Sequence, residues 1–199
     1  MIASDKLLDR IAGDPFLSGF LACPGDFDIT CRNPVEDLSL PTGIPLRPIA
    51  GCGAGGTYFL CGGTDSAYQP VLYADSEGRA TLIGGDLAEA LTLITTVPYW
   101  RDLGTDFPIT DLAADLRADH PTLDADRARF LAALGLPSPS EPEAITRLLA
   151  VAASTAPDYV PAVPDDDHVP YDLFFGAPFR PGHATAPGAP HLSANLSRR

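Results

Sequence analysis

The residues that could do chemistry concentrate in one glycine-rich stretch, PIAGCGAGGTYFLCGG, which spans residues 48–63. Gly51, Gly53 and Gly56 fit the pattern G-x-G-x-x-G, the spacing of a loop that binds the pyrophosphate of a dinucleotide. That chemistry needs a buried strand before the loop and a helix after it, because the helix N-terminus holds the phosphate. Here three prolines precede the loop, which argues against a central strand, and β-branched and aromatic residues follow it, which predicts a strand. We interpret the glycines as a turn that permits close backbone approach, and we expect no nucleotide cofactor.

Cys52, within the same stretch, is the candidate nucleophile. The loop backbone could stabilise an oxyanion there, and His120 could act as the base. Nothing in their spacing brings the two residues together, so the favoured interpretation is a buried structural thiol. The sequence contains neither the serine motif G-x-S-x-G nor the zinc motif H-E-x-x-H, and we assign no catalytic residue.

The potential metal ligands show no binding pattern. No cysteine pair has C-x-x-C spacing, and we expect all four thiols to be free and buried; they are Cys23, Cys31, Cys52 and Cys61. The run DDDH at 165–168 has no glycine-spaced calcium loop around it and indicates a solvated segment. The sequence therefore predicts no metal and no other cofactor.

The composition bounds the class of protein. The chain has 199 residues, of which 45% are hydrophobic, so it can bury a core of its own. Its formal net charge is −13, and Lys6 is its only lysine. An acidic surface repels nucleic acid and anionic membranes and attracts basic proteins, although plain solubility accounts for the same charge. We expect a protein partner, and neither nucleic acid nor membrane.

The expected location is cytoplasmic. No segment approaches the roughly 20 apolar residues of a membrane span. The first ten residues carry a charge every few positions and lack the apolar core of a secretion signal.

The middle of the chain predicts a sheet followed by a helix. Three β-prone runs lie at 57–61, 70–74 and 79–83, and their short connections make them an antiparallel meander. Asp86 and Glu89 then form a capping box for a helix whose apolar stripe should pack on the meander. Trp100 follows this helix, and we interpret it as a core residue in preference to a binding hot spot.

Helices are also predicted at both ends of this segment. Ser4 and the pair Asp14-Pro15 should open two helices before a loop-rich region at 22–56, which holds isolated strands near 27–29 and Leu46. Further helices should begin near 110, at 124 and at a second capping box near 140. Several aspartates lie close together in this part of the sequence, and we interpret them as a solvated, salt-bridged face whose negative charge is offset by nearby arginines. The residues are Asp115, Asp119, Asp124 and Asp126, with Arg117, Arg127 and Arg129.

The predicted architecture is therefore an α+β fold with an antiparallel or mixed central sheet flanked by helices. Residues 1–155 form a single domain with a helical part at 110–153, and residues 156–199 form a proline-rich extension. We expect the extension to dock to about residue 180 and to be disordered beyond it. Its apolar residues carry that expectation: Tyr159, Val160, Tyr171, Leu173, Phe174, Phe175 and Phe179.

Three consecutive segments carry a family resemblance: GCGAGGTYFLCGG, PVLYADSEGRATLIG and GDLAEALTLITTVPYW. In this order, over about residues 44–103, the chain resembles the SUKH superfamily, which is named for yeast cell-wall regulators and bacterial immunity proteins. The resemblance implies an α+β domain in which the glycines shape the turn before the central strand; here these are Gly51, Gly53, Gly55 and Gly56. Cys52 stands where many members carry an acidic residue, and the helices after residue 110 and the extension have no counterpart.

The resemblance also implies a function. Many bacterial members bind and block toxins, often nucleases, so this chain is expected to be a non-enzymatic immunity protein that neutralises a basic toxin domain by direct binding. Five loop carboxylates near the sheet are the candidate partner-binding residues: Asp65, Asp75, Glu77, Asp102 and Asp106. Two alternatives stay open. One is a scaffold or regulatory domain with an endogenous partner, and the other is an enzyme that depends on a nucleotide or on the Cys52 thiol.

Overall fold

The computed structural model describes residues 3–34, 36–63, 68–103, 105–164 and 169–176. Within these ranges the chain forms one five-stranded sheet flanked by six α-helices. This is an α+β fold with a mixed sheet, and the predicted fold class is confirmed. The expectations for Phe179 and for disorder beyond about residue 180 lie outside the described residues, as does the DDDH run.

The sheet is a meander of four antiparallel strands with a short parallel strand at one edge. Its order is β1-β2-β3-β4-β5; the strands are β1 (Leu46–Gly51), β2 (Thr57–Cys61), β3 (Val71–Ala74), β4 (Arg79–Gly84) and β5 (Asp172–Leu173). The three predicted strands are confirmed, and β1 extends the isolated strand expected near Leu46 to six residues. Pro48 is accommodated because β1 lies at an edge, where a missing N–H is tolerated. Asp28 forms only an isolated bridge, to Gly51.

Both faces of the sheet are buried. Side chains alternate along β2, so that Tyr58 and Leu60 face the main core while Phe59 and Cys61 face a second, smaller core. Every residue of β2 and β3 is buried as a result. The central strands therefore read as continuous apolar runs, without the alternation of a half-exposed sheet.

Two helices precede the sheet, α1 (Ser4–Ala12) and α2 (Pro15–Ala22). Asp14 caps α2 as predicted, since its side chain accepts hydrogen bonds from the first-turn N–H groups. The expectation that Ser4 caps α1 was wrong. Ser4 is the first helical residue, and Ala3 in extended conformation precedes it without a side-chain cap.

Helix α3 (Leu87–Thr96) follows β4 directly and packs on it. Asp86 accepts from the Glu89 N–H at 2.8 Å, but the Glu89 carboxylate reaches back to the Gly85 N–H at 2.7 Å and not to Asp86 itself. Glu89 also pairs with Arg147 at 2.6 Å. The start of α3 is thereby tied to the last helix of the chain.

Three further helices complete the described fold: α4 (Ile109–Asp119), α5 (Leu123–Leu134) and α6 (Glu141–Ala152). The capping box of Ser140 and Glu143 is present at the start of α6. α4 and α5 begin one residue before their predicted starts, after Pro108 and Thr122. No helix among the described residues combines the length and the apolar character that crossing a membrane requires.

The first part of the extension lies on the globule. β5 pairs with β4 in parallel, and Ala162 bridges to Ser39 and to Pro170. Tyr159 and Tyr171 pack against the second core, and Phe174 and Phe175 pack against the main one. Residues 156–164 and 169–176 thus cover the sheet at its β4 edge.

Candidate functional site

The loop with the glycine motif is a hairpin connection between the antiparallel strands β1 and β2. A strand follows the last glycine, where a dinucleotide site has the N-terminus of a helix. A Cβ atom on Gly56 would lie 2.3 Å from the Tyr73 hydroxyl oxygen, and one on Gly51 would lie 2.9 Å from the carbonyl oxygen of Cys31. At these two positions the backbone approaches its neighbours closely, as the sequence predicted.

The N–H groups of this loop donate to acceptors within the protein. The Gly53 N–H donates to the Asp26 carboxylate at 2.7 Å, and the Gly56 N–H to the Cys52 sulfur at 3.2 Å. Cys52 donates to the Gly56 carbonyl at 2.9 Å, and Gly55, with φ of +85°, donates to the Cys52 carbonyl at 3.1 Å. A loop that binds phosphate presents such groups outward to the anion. Here they hold the hairpin together.

Polar side chains lie directly beneath the hairpin, and we call them the loop cluster; they are Asp26, Cys52, Tyr58, Tyr73 and Arg101. The Arg101 guanidinium pairs with the Asp26 carboxylate and donates to the Tyr58 hydroxyl at 3.2 Å. The Tyr73 hydroxyl lies 3.4 Å from the Cys52 sulfur. Every polar side chain of the loop cluster therefore has a partner within it.

Burial controls the ionisation of the two tyrosines in the loop cluster. It raises the pKa of both hydroxyls well above the usual range, although the nearby Arg101 guanidinium acts in the opposite direction. Tyr58 and Tyr73 consequently stay protonated through the neutral pH range. They act as hydrogen-bonding groups of the core.

Trp100 lies beside the loop cluster in a short 3₁₀ turn and is fully buried. Its ring meets Tyr73 edge-on, with ring centroids 5.1 Å apart, and Phe174 of the extension at 5.5 Å. Arg101 lies over the same ring at 5.5 Å from its centroid. Trp100 thus joins the sheet to the docked extension and presents no surface to a partner.

The proposed partnership of Cys52 and His120 has no counterpart in the geometry of the described chain. Cys52 is buried and contacts the Tyr73 hydroxyl and the Gly56 N–H. His120 is the C-terminal cap residue of α4, where its backbone N–H donates to Leu116. No hydrogen bond joins the two side chains among these described residues.

The four cysteines divide into two kinds. Cys52 and Cys61 are buried, and burial raises the pKa of Cys61 to about 12. Cys23 and Cys31 are exposed, so the expectation that all four are buried was wrong for these two, which lie in the loop region after α2. Among the residues the structure describes, no three His, Cys, Asp or Glu side chains converge in a way that could hold a metal ion.

The predicted partner-binding carboxylates occupy different environments. Asp65 lies outside the described residues. The Asp75 side chain is only 8% exposed, where it accepts from the Glu77 and Arg79 N–H groups and pairs with the Arg79 guanidinium. Glu77 is exposed but pairs with the same arginine at 2.8 Å. Asp75 is therefore a structural residue of the β3–β4 turn.

Asp102 and Asp106 are exposed, and so are three carboxylates on α4, the helix that follows them in the chain. We call the full set the acidic face; it comprises Asp102, Asp106, Asp111, Asp115 and Asp119. The last three recur every four residues, which places them along one side of the helix. No ion pair within the described chain involves any of the five.

The neighbouring carboxylates behave differently. Asp124 pairs with Arg117 and Arg127, and Glu141 pairs with the same two arginines. The predicted salt-bridged face thus exists around Asp124, through Arg127 and through Arg117 of α4. Its other predicted carboxylates make no ion pair in the described chain; they are Asp115, Asp119 and Asp126. The four-residue spacing of the α4 aspartates was a visible signal of the acidic face that the sequence reasoning did not use.

Comparison with known proteins identifies no similar protein. No protein-family model matches the chain, and neither a curated protein nor a solved structure shows significant similarity to it.

Proposed function

We propose that this chain is an immunity-type protein that binds a basic toxin domain directly and thereby blocks it. The resemblance of residues 44–103 to the SUKH superfamily supports this proposal. A glycine hairpin, a second hairpin and a capped helix follow one another in the chain, and they form the centre of an α+β domain.

The observation that carries the proposal is an imbalance in how the charges are used. Within the described chain, six arginines make nine ion pairs with carboxylates of the same molecule; they are Arg47, Arg79, Arg101, Arg117, Arg127 and Arg147. The acidic face has no such partners and is exposed. The formal net charge of −13 is therefore presented to solvent in part by exposed aspartates without ion pairs, three of which form a row along α4.

A row of unpaired carboxylates suits a basic partner. A toxin that acts on nucleic acid must attract phosphates and therefore carries a positive surface. Complementary charge speeds association, to about 10⁸–10⁹ M⁻¹s⁻¹ at low salt in the most strongly steered cases, and it disfavours wrong partners. Fast capture is what an inhibitor needs when its target is lethal within the same cell.

Co-expression tests the proposal. Toxin domains encoded beside this gene in the source genome are expressed in a test bacterium, with and without the chain, and growth is recorded. The proposal expects one basic domain that arrests growth alone and is harmless when the chain is present. It is wrong if no neighbouring domain arrests growth, or if the arrest persists with the chain present.

Charge variants sharpen the same assay. Asp102→Lys together with Asp106→Lys should weaken protection against growth arrest and lower the salt-dependent rate of association. Both residues are exposed and make no ion pair in the described chain. Asp9→Lys together with Asp158→Lys is the matched control, since both of these residues are exposed at other places in the fold. Equal loss in both pairs of variants would assign the effect to net charge and not to the acidic face.

A further inference from the structure

An exposed apolar segment interrupts the acidic face at the start of α4. We call Phe107, Pro108 and Ile109 the Phe-Pro-Ile segment. The Phe107 side chain is 69% exposed and Ile109 is 45% exposed, and Pro108 between them is exposed as well. Phe107 is the most exposed large hydrophobic residue of the described chain.

The segment is held in a defined conformation. Pro108 has φ of −60° and ψ of 134° and is the N-cap residue of α4. Its carbonyl accepts from the Asp111 N–H at 3.0 Å and the Leu112 N–H at 3.2 Å, which anchors the segment to the first helical turn. The proline ring limits the backbone further. Little backbone freedom is left to lose at Pro108 and Ile109 when a partner covers the segment, and this favours binding.

Carboxylates flank the segment on both sides. Asp106 precedes it and Asp111 follows it, and both are exposed without an ion pair in the described chain. Asp115 and Asp119 repeat the spacing along α4, so like charges stand at i and i+4 twice, an arrangement that destabilises a helix slightly. The chain thus keeps a self-repelling row of charges next to an uncovered aromatic ring.

We infer that the Phe-Pro-Ile segment and its flanking aspartates are the surface on which the basic protein domain docks, with Phe107 as the central anchor. This inference rests on the proposed function. An aromatic ring surrounded by charges matches the usual composition of an interface, in which a few buried anchors supply most of the affinity and a polar rim excludes water. The matching surface on the partner is an apolar pocket rimmed by lysine or arginine.

The test measures the affinity of the growth-arresting domain, identified by co-expression, for three variants of the full chain. Phe107→Ala should weaken binding by about 30-fold or more, as truncation of a central aromatic anchor does. Leu149→Ala is the matched control, because Leu149 is also exposed, at 42%, but lies on α6. Asp106→Lys combined with Asp111→Lys should slow association at low salt and have less effect at high salt.

The outcomes separate this inference from the function on which it rests. If the wild-type chain binds the domain and Phe107→Ala binds equally well, the docking surface is wrong and the proposed function stands. A similar loss in Phe107→Ala and Leu149→Ala also overturns the docking surface. If the wild-type chain binds no growth-arresting domain, the proposed function fails and the docking surface fails with it. Denaturation curves of each variant show that the fold is retained.

Discussion

The loop cluster and the Phe-Pro-Ile segment differ in the burial of their aromatic side chains and in the pairing of their charged ones. In the loop cluster, Arg101 pairs with Asp26, and Tyr58 and Tyr73 are almost completely buried. In the Phe-Pro-Ile segment, Phe107 is largely exposed, and the carboxylates beside it form no ion pair with an arginine or lysine among the described residues. A region whose groups satisfy one another stabilises the fold, whereas a region that leaves them unsatisfied is available to a partner.

The comparison also shows how a familiar motif can mislead. The glycine motif attracts attention because its spacing matches a nucleotide loop, yet its N–H groups donate within the protein. The acidic face carries no named motif. Its significance depends on exposure and on the absence of described ion pairs, and neither property is visible as a sequence pattern.

The largest expected effect separates the two regions by stability. Trp100→Ala removes a fully buried ring that contacts Tyr73 and Phe174, and it should lower the free energy of unfolding by about 3–5 kcal/mol. Phe107→Ala should change it by about 0.5 kcal/mol or less, because that ring is mostly solvated already. Urea denaturation followed by circular dichroism measures both. Similar losses in the two variants would remove the distinction between the regions.

The next effect concerns the close approach at the hairpin. Gly56→Ala would place a Cβ atom 2.3 Å from the Tyr73 hydroxyl oxygen, and the overpacking should cost about 1–3 kcal/mol. Gly19→Ala is the matched control. Gly19 lies in α2 with open space around it, so alanine there should stabilise the protein by about 0.5–1 kcal/mol. Thermal unfolding of both variants tests the signs, and a neutral Gly56→Ala would contradict the close approach.

A third, smaller effect compares a paired carboxylate with an unpaired one. Burial alone would raise the pKa of Glu89, but Arg147 and the Gly85 N–H hold it below its usual value of 4.5. A carboxyl group whose pKa is depressed in the folded state stabilises the protein at pH values above its unfolded-state pKa. This stabilisation is lost as the pH falls through the folded-state pKa. The free energy of unfolding of the wild type should therefore exceed that of Glu89→Gln by at most about 1 kcal/mol at pH 7. The difference is small because the Glu89–Arg147 pair is partly exposed to solvent.

The pH dependence is the diagnostic part of that measurement. The difference between wild type and Glu89→Gln should disappear as the pH is lowered from about 5 to below 4 in urea denaturation experiments. Asp119→Asn serves as the control from the acidic face, and it should show no loss at pH 7 because Asp119 has no ion pair in the described chain. A Glu89→Gln difference that persisted at acid pH would show that its origin is not the carboxylate charge.

The smallest effect sets stability against binding on the acidic face. Asp115→Lys converts two repulsive i,i+4 pairs, with Asp111 and Asp119, into attractive ones, and it should stabilise the protein by about 0.5 kcal/mol. Under the proposed function the same change should weaken partner binding, because it places a positive charge in the row. Thermal unfolding and binding kinetics, measured side by side with Asp115→Asn, test the two signs. A variant that is both more stable and fully active would show that the acidic face serves solubility alone.

Several elements could be predicted from sequence because their causes are local. The β-prone runs, the cap at Asp14 and the capping box at Ser140 depend on residues within one turn or one strand. Their boundaries shifted by a residue where no strong cap is present, as at α4 and α5. The sequence also predicted a turn before a strand in the glycine stretch, but only the structure showed that β1 pairs with β2 and makes this turn a hairpin.

The environment of each candidate site residue was not local. Asp75 looked like an exposed loop acid, but the turn folds its carboxylate against Arg79. Cys31 looked like a buried thiol and is exposed. In each case the deciding contact or its absence comes from how the loop folds over its neighbours, which residue type does not encode.

By itself, the sequence determined the α+β class, the meander, most helix starts and the excess of negative charge, because propensity, periodicity and composition act over short distances. Only the tertiary structure decided which charges are neutralised. It brought Asp26 to Arg101 across 75 residues and Glu89 to Arg147 across 58, and it left Asp102 and the α4 aspartates without partners in the described chain. Ion pairing depends on distances of a few ångströms between residues remote in sequence, so it emerges only when the elements have packed.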